Sequence, residues 1–581
     1  MNENASSVRK NLLMILVPLL SVLSFTLLYL FRHVDDNRLT SWQWTFAYMD
    51  LVWFVPVLAL GLALAYAISL VTYERYRPAL TLFITSFAAS ALFWKQPEVI
   101  IDVSRYFTYA KHLKLYGAGN FLSQWGNAIS PWTDLPLIPF LYGLIFKFFG
   151  ESRIYIQLLN SSLFSLTVIT TYLIGKTLWS DDVGYFAGAM ILGIPYIFSQ
   201  VPLMLVDVPT MFLLTLSVYT FITAMEKGGV WIVSTSLAIF FTVFSKYSAW
   251  VMLSVLIVIF FVYVIQNVEP HSTDNNQRIT HIARRSYMSR GVSVAGMTFI
   301  LSGIVFLLKS DNMLSQIAFL SEYQAPGLKR WGESFISTFL FQTHPFITFS
   351  AIISLYFAIK RRDVKFIIIS WLTILVIILQ IRRSRYVMVI FPMFTLMASY
   401  GLCCLKSSDL KRYIVTSIAA FSLIVAFFAY LPFLRTMSEE NLHLAGTYLN
   451  TIDAPFIRVI TIPSETSVAN PAVSVPVLDL YTHKKIGYQY DAHNVPPLEK
   501  IQESPLRFTW EYTNPGYYQT SIPIDNVYRA VAVISNGKDE LPDNVNEELN
   551  GYEQKIMFNT TTGIFRYDPV VTIFQPVEIP Q

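Results

Sequence analysis

The sequence predicts a polytopic α-helical membrane protein with a small exterior α/β domain at its C-terminal end. Three observations carry that prediction. Of the 581 residues, 54% are hydrophobic and 14% charged, whereas a soluble globular chain is near a quarter charged. Apolar runs near the twenty residues needed to cross a bilayer recur between positions 12 and 434. Beyond 434 they stop, and 435–581 is polar, proline-rich and without a run long enough to span. The division is therefore 1–434 in the membrane and 435–581 outside it. A net charge of +4 does not suggest a nucleic-acid partner.

The first run, 12–31, follows Arg9-Lys10 and is too long for the core of a cleaved signal peptide, so it reads as a retained signal anchor with a cytoplasmic N-terminus. Further spans are expected at 51–71, 79–94, 208–225, 231–244, 250–265, 291–308, 345–359, 366–381, 387–405 and 413–434, with three apolar runs between 135 and 204. Cations set the orientation. Arg278, Arg284, Arg285 and Arg290 mark one cytoplasmic loop, Lys360-Arg361-Arg362 with Lys365 a second, and Lys406 with Lys411-Arg412 a third. Counts back from the first of these loops and forward from the N-terminus agree only if 135–204 crosses twice. The shortest run there, 135–149, would be about 22 Å long as a helix, and is expected to insert partly, to tilt, or to fuse with its neighbour. The total is about thirteen spans in a multi-pass protein of the cell membrane, with the C-terminal domain extracytoplasmic. Within that domain 456–462, 473–480 and 528–534 read as strands with helices between them. Cys403 and Cys404 lack metal-site spacing and read as small buried hydrophobes.

The same count puts a polar loop of roughly forty residues, 97–136, outside. It holds Asp102, Arg105, Tyr106, Tyr109, Lys111, His112 and Lys114, a Gly117-Ala118-Gly119-Asn120 break, and Asp134-Leu135-Pro136. On a helix Asp102 shares a face with Arg105, Tyr106 and Tyr109. A solvated connector would also suit this composition. Asp207 stands alone in Leu205-Val206-Asp207-Val208-Pro209. An acid in an apolar setting is costly and functional by default, though it also suits the start of a helix. Lys246 could neutralise a phosphate or snorkel to the interface. Arg382-Arg383-Ser384-Arg385-Tyr386 breaks the charge rule, because one span separates it from the Lys360–Lys365 cluster. Three outward guanidiniums suit bidentate phosphate binding, and snorkelling is the simpler alternative. His344, before Pro345, reads as structural unless a carboxylate such as Asp134 stands beside it.

At these positions the chain resembles the GT-C glycosyltransferases that use polyprenyl-phosphate sugars, in the branch of protein O-mannosyltransferases and the lipid A aminoarabinose transferase. The resemblance rests on Asp102, Tyr106, Ala110 and Gly119-Asn120-Phe121, then Asp134-Leu135-Pro136, then Asp207-Val208-Pro209, Trp231 and Lys246, and finally Arg385-Tyr386 with Pro392. It covers roughly 100–263 and 384–402. Two departures stand out. Val103 occupies a site that is often a second acid in that family, and Asp134 stands where the aminoarabinose branch has a metal-ligating glutamate.

The resemblance implies a GT-C fold and an inverting transfer of sugar from a lipid phosphate to an acceptor hydroxyl on a protein, a glycolipid or a polysaccharide. Asp102 would be the general base, its pKa raised in a dry site. Arg385, Lys246, Arg382 and Arg383 would hold the donor phosphate, and Arg105, Tyr106, Asp207 and Tyr386 would line the substrate site. A divalent metal ion, if used, would fall to Asp134 and His344. A transporter or lipid flippase is the alternative, but it should show related halves with charges near the midplane, and no such halves are visible. An inactive scaffold is the third reading, kept open by Val103.

Overall fold

The computed structural model describes residues 2–70, 77–127, 129, 135–266, 274–324, 333–463, 469–489, 497–504, 506–519, 528–536, 541–560, 564 and 567–577. Among them seven helices are long and apolar enough to cross a membrane: Leu51–Leu70, Arg153–Leu178, Asp207–Lys227, Tyr247–Ile265, Arg284–Leu308, Ser384–Leu402 and Ser408–Leu434. Shorter apolar helices, Met14–Leu30, Pro78–Ala91, Leu137–Phe149, Val230–Val243 and Phe366–Ile378, accompany them. Small residues let backbones approach closely. A Cβ on Gly175 would lie 2.6 Å from Cα of Gly184, which fixes the crossing of the Arg153–Leu178 helix with Asp181–Ile191. Between those two helices Ser180 accepts a hydrogen bond from Val183 N, and Asp181 and Asp182 complement the helix start.

The short run at 135–149 forms the helix Leu137–Phe149. Leu137 N donates to Phe244 O just before Lys246, and Glu151, just past the far end, pairs with Lys114 at 2.6 Å. Two expectations need correction. The basic stretch ahead of residue 291 is not a loop throughout, since one helix runs from Asp274 to Leu308. Arg290 there donates to the carbonyls of Met225 and Glu226 at 2.5 and 2.8 Å, capping the end of the Asp207–Lys227 helix. Cys403 and Cys404 are free and half-buried rather than fully buried.

The C-terminal α/β unit has strands β1 (Phe456–Thr461), β2 (Lys485–Tyr488), β3 (Val531–Asn536), β4 (Tyr552–Phe558) and β5 (Pro569–Pro576). They lie in the order β2-β1-β3-β5-β4. β1 runs parallel to β2 and β3, while β5 runs antiparallel to β3 and β4. The stretch 473–480, expected as a strand, is instead the helix Ser474–Tyr481, buried on every side up to Leu480. A short continuous apolar run does not distinguish a buried strand from a buried helix. One sheet face, with Ile457, Val459, Ala532, Ile534, Val571 and Ile573, shares one hydrophobic core with that helix and with the helix Glu439–Thr451. Its core continues without a break into Val103, Tyr106, Phe107 and Ala110 of the first polar loop.

Candidate active site

The polar loop folds as Val103–Tyr116 and Ala118–Gln124, broken at Gly117, whose φ of 89° suits glycine. Asp102 occupies the N-cap of the first helix, yet its carboxylate makes no capping hydrogen bond. Arg385 donates to its Oδ2, and Arg105 Nη2 lies 3.1 Å from its Oδ1. Arg385 also donates from Nε to Asp207 Oδ2 at 2.8 Å, and Lys246 Nζ meets Asp207 Oδ1 at 2.5 Å. Residues from four separate parts of the sequence thus form one chain of alternating charge: Arg105, Asp102, Arg385, Asp207, Lys246. Asp207 and Arg385 are buried, whereas Asp102 and Lys246 each keep 17% of the side chain exposed. The network is therefore partly open at Asp102 and at Lys246.

Burial alone would raise the Asp102 carboxyl, but the guanidiniums of Arg385 and Arg105 outweigh it and hold the group below the usual carboxylate range. The expectation of a raised pKa is corrected: in this state Asp102 is a paired anion and a weak base.

Asp207 is the first residue of its helix and not the N-cap, which is Val206. The loop before it is fastened at three successive residues. Asn160 Nδ2 donates to Leu203 O at 2.8 Å, Met204 N donates to Glu98 Oε2 at 3.1 Å, and Tyr142 OH donates to Leu205 O at 2.6 Å. Glu98 is itself fixed by Arg153 Nε at 2.7 Å. Glu98 lies four residues before Asp102, so one buried acid ties both aspartate-bearing segments together.

Arg385 follows Ser384, whose backbone N donates to Glu333 Oε2 at 2.8 Å. Glu333 is buried, which raises its carboxyl, and lies 4.0 Å from Arg383. Arg383 also donates to Tyr386 OH at 3.4 Å, and Lys246 stands 4.9 Å from the centre of the Tyr386 ring. The three arginines therefore divide. Arg385 is inside the network, Arg383 is beside it, and Arg382 is exposed and bonded to Gln380 at 2.6 Å. Tyr106 is buried under the Arg105 guanidinium, 5.7 Å away. Tyr109 packs with Phe121 and Trp125 instead.

Asp134 lies outside the described residues. His344 is buried against Phe421, with its Nδ1 accepting a hydrogen bond from Phe346 N at 3.1 Å at the start of the Pro345–Arg361 helix. Among the described residues no three His, Cys, Asp or Glu side chains gather where a metal ion could sit.

Glu98, Arg153, Asn160, Tyr142 and Glu333 were not among the residues read from the sequence. Glu98, an acid at a span end just after Gln96-Pro97, was the one readable signal.

Residues 131–284 match the family model described as dolichyl-phosphate-mannose-protein mannosyltransferase. The fold is similar to ArnT from Cupriavidus metallidurans in the apo state, with a TM-score of 0.53 at 12% identity, covering 85% of this chain and 97% of that one. The chain has a GT-C fold. The segment matched by the family model is about a quarter of the chain. Two further structures align at lower scores. ArnT from C. metallidurans bound to undecaprenyl phosphate gives 0.49 at 12% identity, covering 92% and 100% of the two chains. The oligosaccharyltransferase AglB from Archaeoglobus fulgidus, with an inhibitory peptide and a dolichol-phosphate, gives 0.45 at 11% identity, covering 80% and 70%. No curated protein matches the sequence.

Proposed function

We propose that this GT-C chain is an integral-membrane, inverting glycosyltransferase that moves a sugar from a polyprenyl-phosphate donor to an acceptor hydroxyl at the outer face. The observation that carries the reading is the Asp102–Arg385–Asp207–Lys246 network, which unites a carboxylate and a cationic clamp at one end of the bundle. The matched family model, named for a dolichyl-phosphate sugar, supports a lipid-phosphate donor.

The donor phosphate takes hydrogen bonds from Arg385 and Lys246, with Arg383 and Tyr386 at its flank and Arg382 at the rim. Losing Arg385 to the phosphate strips Asp102 of its main cationic partner, so its proton affinity rises when the donor is in place. Asp102 then takes the acceptor hydroxyl proton, the oxygen attacks the anomeric carbon, and the bond from that carbon to the phosphate oxygen breaks. The leaving phosphate keeps the electron pair, and the clamp stabilises its added charge. No acid is required at that oxygen, so one essential carboxylate suffices, unlike the pair in soluble glycosidases. Asp207 holds Arg385 and Lys246 in place, while Arg105 and Tyr106 line the acceptor side.

In this reading thirteen spans put the N-terminus in the cytoplasm and the loop 97–136 with 435–581 outside. The acceptor is a protein, a glycolipid or a polysaccharide. Binding of undecaprenyl phosphate to the purified protein tests the clamp. Arg385→Ala is expected to weaken it at least about tenfold, the loss of one charge-assisted contact, and Arg382→Ala to leave it nearly unchanged. Equal affinity in wild type and Arg385→Ala would remove the clamp.

A further inference from the structure

The Val103–Tyr116 helix has two functional sides. Asp102 and Lys111 are nine positions apart, about 14 Å along the axis and on opposite sides. The side away from the site is held by the C-terminal α/β unit. Lys111 Nζ lies 2.5 Å from Asp479 Oδ2, on the helix Ser474–Tyr481, and Tyr518 OH donates to the same oxygen at 2.8 Å. The rings of Phe107, Tyr517 and Tyr518 stand 5.4, 5.7 and 5.8 Å from the Lys111 ammonium. Glu151 adds contacts of 3.0 Å to Lys111 and 2.6 Å to Lys114, so two cations face two carboxylates. The Asp479 side chain is 1% exposed and that of Lys111 15%.

The same helix also grips the chain on the other flank of Asp102. Tyr481 OH accepts a hydrogen bond from Glu98 N at 2.7 Å, four residues before Asp102. Arg153, which holds Glu98, lies 5.8 Å from the centre of the Tyr481 ring. One eight-residue helix therefore fixes positions 98 and 111 together, and Asp102 lies between them. A buried ion pair is a poor source of net stability compared with apolar packing, but it specifies one geometry, and losing one partner leaves an uncompensated charge. Burial raises the Asp479 carboxyl while the Lys111 ammonium pulls it down.

We propose that Asp479 is a positioning residue for Asp102: through Lys111 the C-terminal α/β unit sets the helix that presents Asp102 to Arg385. The effect on transfer rests on the reading of Asp102 as base, whereas the effect on the helix does not.

Hydrogen exchange on the full-length protein in detergent separates the two. Asp479→Asn, which keeps the side-chain size, is expected to speed exchange of the 103–116 amides at least about tenfold while β1 and β3 stay as protected as in wild type. Asp479→Glu is expected to restore protection. In a deletion strain, the glycan modification detected by mass spectrometry should fall with Asp479→Asn and return with Asp479→Glu. Unchanged exchange at 103–116, or a rise shared equally by β1 and β3 in both variants, overturns the proposal. Full activity of Asp102→Asn would instead remove the base and leave the exchange result standing.

Discussion

Arg385 and Asp102, 283 residues apart in sequence, form a direct ion pair. In the proposed reaction the pair sets the order of events, because the guanidinium that holds the proposed base is the one offered to the donor. Asp102→Asn is therefore expected to lower transfer by roughly 10²–10⁴-fold, the range of a lost general base. Undecaprenyl phosphate should bind the variant as well as wild type or better, since a competing anion has gone. Turnover at the wild-type rate would exclude Asp102 as base.

Asp102 is held below the usual carboxylate range by Arg385 and Arg105 against the opposing effect of burial. A depressed carboxyl stays ionised as the pH falls, and the stability its pairing contributes is lost only below the ordinary value near 4. The pH profile of kcat/KM, which reports the free enzyme, should show no acid limb from Asp102 above about pH 4. Replacing Arg385 with alanine should move an acid limb up into the measurable range. An inflection near pH 6 in the wild-type kcat/KM profile that vanishes in Asp102→Asn would contradict the pairing.

Glu98 joins the two aspartate-bearing segments through Arg153 and Met204 N. Glu98→Gln leaves a buried guanidinium short of its partner, a cost of about 3–5 kcal/mol for a broken buried pair. The amides of 203–205 should exchange faster, and lipid-phosphate binding should weaken as Asp207 loses its fixed loop. Wild-type exchange at Met204 would show that the tie is dispensable.

The site was more legible in the sequence than its support. Asp102, Asp207, Lys246 and Arg385 each announce themselves as charges at the ends of apolar runs, where burial is costly unless something is gained. Helical spacing also put Arg105 on the Asp102 face. Which of three adjacent arginines turns inward was not legible, since Ser384 N on Glu333 sets that register across 51 positions. The helix at Ser474–Tyr481 was misread because a fully buried short run has no periodicity to report. The low proton affinity of Asp102 depends on a partner 283 positions away, which no local pattern encodes.

Glu439, buried in the C-terminal unit, has its carboxyl lifted by burial to about 8. A raised acid keeps its proton in the folded chain while the unfolded chain releases it. Stability is then fully present below the ordinary value near 4.5 and declines as the pH rises to about 8, by roughly a few kcal/mol. Glu439→Gln mimics the neutral acid and should flatten this window, measured by exchange at β5 across pH 5–8. The same slope in wild type and variant would rule the group out.

The central claim is that the donor phosphate takes the guanidinium now held by Asp102. A cryo-electron microscopy structure with undecaprenyl phosphate tests it directly. The account predicts phosphate oxygens within about 3 Å of Arg385 and Lys246, and an Asp102 carboxylate no longer bonded to Arg385. A phosphate bound elsewhere, with the Arg385–Asp102 pair intact, would contradict it.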